Sequence, residues 1–268
     1  MLAQTTDKIE TSHGHRLVVS HCAGTRLPVL FINSVAADHT MWAAVRERMA
    51  RTSIAYDARG HGGSDVTQGA LSVEDFAQDA IAVMDAAGLD RAILCGLSLG
   101  GLTAMQMAAD APERVAGLAL ANTATSFPPP SLWRERAADT RAGGWPKLIQ
   151  PTLERWLTQA WRMANPEGTS QIVEMLSAMP PEGYAAACAA LETGGTAEAL
   201  SRWSGPTLII AGAHDQSASL ERAREMKTIA PQAERVILDT AHIAAIEDPE
   251  GFANALESFA ARIEADHV

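Results

Sequence analysis

The sequence predicts a single domain of the α/β class, with a mostly parallel β-sheet covered by helices on both faces. Short apolar runs alternate with helical patterns along most of the chain. Runs such as Val29–Ile32 are apolar throughout, which is typical of strands buried on both faces of a parallel sheet. The length of 268 residues suits one α/β domain that carries an insertion.

Seven segments are predicted as strands because each is a short apolar run bounded by turn residues. They are Leu17–Ser20, Pro28–Asn33, Ser53–Asp57, Ala92–Gly96, Val115–Asn122, Pro206–Gly212 and Arg235–Asp239. Because helical patterns separate them, these strands indicate a mostly parallel sheet.

Helices are predicted between the strands, most clearly at Val73–Gly88, where apolar residues recur at spacings of three and four. Ser72 is a candidate N-cap for this helix, and Gly88 is a candidate stop. Asp248 followed by Pro249 is a second helix start, with proline at the first helical position. Similar helical patterns occur at Leu99–Ala109, Leu220–Ala230 and Pro249–Ile263.

One segment departs from this alternation. Residues 124–203 contain no apparent strand, include three consecutive prolines near their start and then have the pattern of several helices. Four of the six tryptophans lie in the first half of the segment. We therefore predict a helical lid over 124–203, inserted into an α/β core formed by 1–123 and 204–268.

The composition restricts the class of partner. The chain has 21 Lys and Arg against 32 Asp and Glu, a net charge of −11, so we expect neither nucleic-acid nor membrane partners. Its three cysteines, Cys22, Cys95 and Cys188, suggest neither a disulfide framework nor a metal site. The first residues lack the pattern of a signal peptide, and no run approaches the ~20 apolar residues of a membrane span. A cytoplasmic location is therefore expected, and the sequence leaves open whether the chain forms a homo-oligomer.

A candidate nucleophile lies in the segment Gly96-Leu97-Ser98-Leu99-Gly100, between an apolar run and a helical pattern. The pattern G-x-S-x-G in a strand–turn–helix context is typical of a serine nucleophile. We expect glycines two residues before and after Ser98 because side chains there would collide with neighbouring backbone. The turn should hold Ser98 in a strained conformation that exposes its Oγ above the sheet.

In folds whose nucleophile lies in a G-x-S-x-G turn between a strand and a helix, the acid and then the histidine come after the serine in chain order, and the candidate base follows from this order by elimination. Three histidines, His214, His242 and His267, follow Ser98. His267 lies next to the last residue, and His214 lies at the end of a predicted strand, where the acid is expected. His242, in the loop after the last predicted strand, is therefore the candidate base.

The candidate acid is Asp215, which comes just after the predicted strand Pro206–Gly212. Its role would be to accept a hydrogen bond from Nδ1 of His242 and orient the imidazole. Asp239 is an alternative, although it lies only three residues before His242. Asp248 is better explained as a helix cap.

Two backbone N–H groups are expected to bind the oxyanion that forms during attack. Leu99, the residue after the nucleophile, is one candidate donor. Val35, in the loop Asn33–Asp38 after a predicted strand, is the other, although this loop lacks the usual His-Gly pair and could be a simple turn.

The chain resembles the α/β-hydrolases, and within them the 3-oxoadipate enol-lactonase group of aromatic-acid degradation. The similar segments are Asn33–Asp38 with His39–Trp42, Asp57–Ser64, Leu94–Gly101, Ala109–Asn122, Pro180–Ala189, Ala211–Asp215 and Ala241–Glu247. This resemblance implies that Ser98, Asp215 and His242 form a catalytic triad and that Val35 and Leu99 supply the oxyanion hole. One segment departs from the family pattern: Gln216–Ser219 follows Asp215 where Pro and Thr are usual.

The resemblance implies a serine hydrolase that opens a small carboxylated enol-lactone through an acyl-enzyme, with no metal or organic cofactor. A cation should then bind the substrate carboxylate, and residues 131–165 hold six Lys and Arg against three acidic residues. Arg134 or a neighbouring arginine is the candidate, with Trp133 as a wall of the pocket. The alternatives are a solvated lid surface for these arginines, a general carboxylesterase or other lactonase, and a low-turnover ligand-binding or signalling protein. His61 is expected to hold its loop rather than to catalyse.

Overall fold

The computed structural model describes residues 4–265. Within these residues, eight strands form one sheet in the order β1-β2-β4-β3-β5-β6-β7-β8. The strands are β1 (Gln4–Glu10), β2 (Arg16–Cys22), β3 (Val29–Ile32), β4 (Ser53–Tyr56), β5 (Ala92–Leu97), β6 (Val115–Ala121), β7 (Thr207–Gly212) and β8 (Glu234–Leu238). All pairings among β3 to β8 are parallel, and β2 pairs antiparallel with both β1 and β4. The predicted fold class is confirmed.

Twelve α-helices connect and flank the strands within residues 4–265. They are α1 (Ala43–Arg46), α2 (Val73–Ala86), α3 (Leu99–Asp110), α4 (Pro130–Asp139), α5 (Trp145–Trp156), α6 (Gln159–Ala164), α7 (Pro166–Ala178), α8 (Pro181–Thr193), α9 (Ala197–Arg202), α10 (Leu220–Ile229), α11 (Ala244–Glu247) and α12 (Pro249–Ala265). Short 3₁₀ helices at His39–Trp42 and Pro112–Arg114 and a π-helical turn at Thr140–Gly144 complete the set.

The predicted helix ends agree with the structure. Ser72 caps α2 in a capping box, in which its Oγ accepts a hydrogen bond from the backbone N–H of Asp75 and the Asp75 carboxylate accepts one from Ser72 N–H. Gly88, one residue beyond the C-cap Ala87, has a φ of +64°, which favours glycine. The carboxylate of Asp248 accepts a hydrogen bond from Gly251 N–H at the start of α12.

Strand β1 was not among the predicted strands. Its sequence, Gln-Thr-Thr-Asp-Lys-Ile-Glu, contains no apolar run, because the strand lies at the edge of the sheet and is mostly exposed. It pairs along its length with β2 through a tight turn in which Gly14 has a φ of +77°. An exposed edge strand of this kind lacks the apolar run by which the other strands were predicted.

The segment between β6 and β7 contains helices α4 to α9, and every residue there is described and none is in a strand. Residues of this segment contact and hydrogen-bond with residues outside it. Gly183, at the start of α8, contacts the backbone of Gly60 so closely that a Cβ on Gly183 would lie 1.9 Å from the Gly60 oxygen. Thr158 donates two hydrogen bonds to the Glu247 carboxylate, at 2.7 and 2.8 Å. The division into a core and a lid remains a prediction about domains.

The cysteines are all free and buried. Cys95 lies in β5 and Cys188 in α8. Burial raises the pKa of both thiols, and that of Cys188 reaches about 12. Among residues 4–265, none of the helices has the length and apolar character needed to cross a membrane. His267 lies outside the described residues.

Candidate active site

Ser98 lies in a sharp turn between the end of β5 and the start of α3. Its φ of 56° and ψ of −115° fall in a region that non-glycine residues rarely occupy, so the backbone is strained as predicted. A Cβ on Gly96 would lie 2.1 Å from the Gly100 oxygen, and one on Gly100 would lie 2.1 Å from the Ile32 oxygen. The two glycines are therefore required by backbone contacts, which is the reason anticipated from the sequence.

Asp215 and His242 come from the loops after β7 and β8, and the structure brings them together. Nδ1 of His242 lies 2.9 Å from Oδ2 of Asp215, and the exposed fractions of the two side chains are 4% and 0%. Oδ1 of Asp215 accepts hydrogen bonds from the backbone N–H groups of Ser217 and Ala218, at 2.8 and 2.9 Å. The carboxylate is therefore fixed from two sides.

The electrostatics of this pair favour an ionised carboxylate. Burial by itself would raise the pKa of Asp215. That effect is outweighed by the charge of His242 and by hydrogen bonds from His242, the Ala218 N–H and the Asn122 amide. Together they hold the pKa of Asp215 below its ordinary value. Asp215 can therefore accept a hydrogen bond from Nδ1–H of His242, which leaves Nε2 of His242 for a second partner.

Sequence reasoning did not assign a role to Asn122, which follows β6. Its Nδ2 donates to Oδ2 of Asp215 at 3.1 Å and to the Ala241 carbonyl at 3.0 Å. The residue has a φ of +43°, a conformation that asparagine tolerates better than most residues. Asn122 thus connects the loop that carries Asp215 with the loop that carries His242. Its place at the carboxyl end of a strand was the available signal.

The alternative acid lies elsewhere. The Asp239 side chain is 94% exposed and bonds to Nε2 of His214 at 2.8 Å. Its contact is therefore with a surface histidine, while His242 contacts Asp215.

A cavity of about 200 Å³ lies beside Ser98 and His242, which are both buried residues on its wall. Leu132, Trp133, Trp156 and Tyr184 of the helical segment form much of its apolar surface. The remaining lining residues are Val35, Ala36, Ser126, Phe127, Pro128, Arg136, Thr152, Arg155, Gln216, Ser217 and Arg222. Trp133 is among the lining residues, and its Nε1 donates to the Phe127 carbonyl at 2.6 Å.

The two candidate oxyanion donors come from different elements. Val35 lies in the loop after β3 and lines the cavity. Leu99 is the first residue of α3, so its N–H has no intrahelical acceptor. The start of a helix also favours negative charge.

Arg134 is not on the cavity wall, which corrects the specific choice made from the sequence. Its side chain is 68% exposed and pairs with Glu192 at 2.8 Å. Helix α4 turns Leu132, Trp133 and Arg136 toward the cavity, at helical spacings of three and four, and Arg134 falls on another face.

Three arginines line the cavity, namely Arg136, Arg155 and Arg222, and no acidic side chain of the described residues does. Arg222 pairs with Glu225 at 3.0 Å. Arg136 lies over the Trp133 ring, 5.0 Å from its centroid, and Arg155 donates to Thr152 Oγ1 at 3.0 Å. Neither of these two forms an ion pair within residues 4–265. Burial, followed by the charge of Arg136, lowers the pKa of Arg155.

His61 is fully buried, and its Nδ1 lies 3.0 Å from the Arg59 carbonyl. Burial lowers its pKa. It does not line the cavity in the described structure, which agrees with the expectation of a structural role.

Comparisons with known proteins concern the family and the fold of the chain. Residues 28–249 match the family model described as alpha/beta hydrolase fold. The chain is 31% identical over 240 residues to 3-oxoadipate enol-lactonase 1 of Acinetobacter baylyi, covering 88% of this chain and 89% of that protein. 3-Oxoadipate enol-lactonase 2 of the same organism is 31% identical over 238 residues, 87% of this chain and 88% of its own length.

Solved structures are similar over nearly the whole chain. The enol-lactonase from Burkholderia xenovorans LB400 superimposes with a TM-score of 0.91 at 29% identity, covering 94% of this chain and 99% of its own. A thermophilic esterase from Thermogutta terrifontis with malate bound also has a TM-score of 0.91 at 29% identity, covering 97% and 99%. From the family model and these relatives, the chain belongs to the α/β-hydrolase fold family.

Proposed function

We propose that this protein is a serine hydrolase of ester bonds that opens a small carboxylated lactone, such as 3-oxoadipate enol-lactone. The observation that supports this most is the buried contact between Asp215 and His242, because His242 lines the same cavity as Ser98. The names of the Acinetobacter relatives and of the Burkholderia structure support the choice of an enol-lactone.

The proposed reaction begins when Nε2 of His242 takes the proton of Ser98 Oγ as the oxygen attacks the lactone carbonyl. The oxyanion accepts hydrogen bonds from the N–H groups of Val35 and Leu99. As the ring C–O bond breaks, the acyl group stays on Ser98 and His242 gives its proton to the enolate oxygen, which is still part of the same acyl group; the enol then tautomerises to the ketone. Water activated by His242 then attacks the acyl-enzyme, which frees Ser98 and gives the second carboxylate.

The substrate carboxylate is proposed to lie against Arg136 and Arg155. These two cations share one wall, and neither has a carboxylate partner among the described residues. An anionic substrate would supply the missing negative charge through charge-assisted hydrogen bonds. The similar esterase from Thermogutta terrifontis has a carboxylate, malate, bound to it.

The test compares 3-oxoadipate enol-lactone with p-nitrophenyl acetate for the wild type and Ser98→Ala. We expect kcat/KM to favour the lactone and Ser98→Ala to lose both activities. A preference for the neutral ester would support the second candidate, a general carboxylesterase. The departure at Gln216–Ser219 favours that candidate, because Gln216 and Ser217 line the cavity in place of the family's usual residues.

A low-turnover binding protein would behave differently. It would be labelled stoichiometrically at Ser98 by a fluorophosphonate and yet turn over none of the esters or lactones. The cytoplasmic location and the lack of nucleic-acid partners remain predictions from the composition.

A further inference from the structure

The loop that carries Val35 adopts a backbone that needs external support. It begins where β3 ends and leads into the 3₁₀ helix His39–Trp42. Ala36, which lines the cavity beside Val35, has a φ of +66°. A non-glycine residue in this region costs about 1–3 kcal/mol and persists only where the surroundings hold it.

The upstream end of the loop is fixed by Asn33. Its Nδ2 donates to the Tyr56 carbonyl at 2.7 Å, and its Oδ1 accepts from Nε1 of Trp42 at 2.8 Å. Asn33 is 3% exposed, so both bonds are shielded from water. One amide thus ties the start of the loop to the end of β4 and to the 3₁₀ helix that follows.

The downstream end is fixed by Asp57. Oδ1 of Asp57 accepts from the backbone N–H of His39 at 2.8 Å and lies 2.7 Å from its Nδ1. Oδ2 accepts from Gly63 N–H at 2.8 Å. Asp57 is 2% exposed, and a Cβ on Gly62 would lie 2.2 Å from Oδ2, so this carboxylate has almost no freedom to shift.

Asp38, His39 and Asp57 also bring potential ligand atoms within 4.8 Å of one another, as in a cation site. Their atoms are already used within the fold, however. Oδ1 of Asp38 accepts from Thr40 N–H at 2.9 Å, and both oxygens of Asp57 accept hydrogen bonds from protein groups. The hydrogen bonds of this cluster therefore connect the loop after β3 with the loop after β4.

We propose that the His39–Asp57 link positions the Val35 N–H for the oxyanion, which makes His39 and Asp57 positioning residues. This inference rests on the proposed function. Neither residue lines the cavity, so neither contacts the substrate, and both act through the backbone between Val35 and His39. A displacement of about 1 Å at an oxyanion donor is enough to lower kcat by about 100-fold.

The test uses His39→Ala, which removes the side-chain link, and His39→Asn, whose amide N–H can replace Nδ1–H. For His39→Ala we expect kcat to fall about 10- to 100-fold with KM changed less than about threefold. His39→Asn should recover kcat to within about threefold of the wild type. The inhibition constant of a trifluoromethyl ketone, whose oxygen would occupy the oxyanion position, should rise with the loss of kcat in His39→Ala.

A second pair of variants tests the proposal independently in case His39→Ala does not fold. Asp57→Asn keeps the volume and should show the same loss of kcat at constant KM. Asp65→Asn is the matched control, because Asp65 lies in the same part of the chain and accepts from Arg16 N–H at 3.0 Å, but bonds to β2 rather than to the oxyanion loop. Its kcat should stay within about twofold.

The proposal is overturned if His39→Ala keeps wild-type kcat while its melting temperature falls, or if His39→Asn is as impaired as His39→Ala. Failure of the proposed function would be distinguishable. In that case the wild type itself would not be inhibited by the ketone, and Ser98→Ala would keep the activity.

Discussion

Arg155→Met should weaken binding of a carboxylated substrate without destabilising the free protein. Arg155 is half-buried on the cavity wall, makes no ion pair within residues 4–265, and has its pKa lowered by burial and by the charge of Arg136. The positive charge of Arg155 therefore destabilises the folded protein when no ligand is bound. Methionine keeps much of the side-chain length and removes that cost, at the expense of one hydrogen bond to Thr152.

The magnitude follows from the bond that the substrate would lose. A hydrogen bond to a charged group contributes about 1.5–3 kcal/mol, which corresponds to a rise in KM of about 10- to 150-fold for a carboxylated lactone. A neutral ester has no carboxylate to lose, so its KM should change less than about threefold. The melting temperature should stay within about 2 °C of the wild type or rise.

The assay measures KM and kcat of the wild type, Arg155→Met and Arg134→Met with one carboxylated lactone and one neutral ester. Arg134→Met is the matched control, because Arg134 is exposed and pairs with Glu192 outside the cavity. It should leave the preference for the carboxylated substrate unchanged. Equal KM effects of Arg155→Met on both substrates would refute the assignment of Arg155 to the substrate carboxylate.

Three other changes test separate features. Asp215→Asn should lower kcat by about three to four orders of magnitude with an unchanged far-UV circular dichroism spectrum, because an amide no longer favours the required imidazole tautomer; near-wild-type turnover would exclude Asp215. Gly183→Ala should lower the free energy of unfolding by about 1–3 kcal/mol in urea titrations, because its Cβ would meet the Gly60 oxygen. Gly195→Ala is the control, because a Cβ there meets nothing within 4 Å, and it should leave the free energy of unfolding unchanged. Equal losses in the two variants would argue against the Gly60 contact. The hydrogen bond to Asp57 raises the pKa of His39 above 6.5, so its contribution to stability is fully present below pH 6.5 and is lost as the pH rises through the folded value. The difference in unfolding free energy between the wild type and His39→Ala should therefore be larger at about pH 5.5 than at about pH 9, and a constant difference would contradict the charged pair.

Features with a local cause were predictable from the sequence. The elbow at Ser98 needs glycines that the chain shows within five residues, and the capping box of α2 needs only Ser72 and Asp75. The central strands were predictable because burial on both faces leaves an uninterrupted apolar run.

Features that depend on two distant segments were not predictable in the same way. The amide of Asn122 bonds to Asp215, 93 residues further along the chain, and Asn122 offers no carboxylate that would attract notice. The choice between Arg134 and Arg136 depends on which face of α4 the tertiary packing turns inward. The contact between His39 and Asp57 joins two loops whose sequences do not reveal that they touch.

The buried thiols offer a way to follow opening of the molecule. An alkylating reagent reacts with thiolates, and neither Cys95 in β5 nor Cys188 in α8 can form one readily while enclosed. Each cysteine therefore reports the exposure of its own element in the native chain. If α8 opens before the sheet unfolds, Cys188 becomes modified first, and mass spectrometry of timed samples reads out that order without any engineered label.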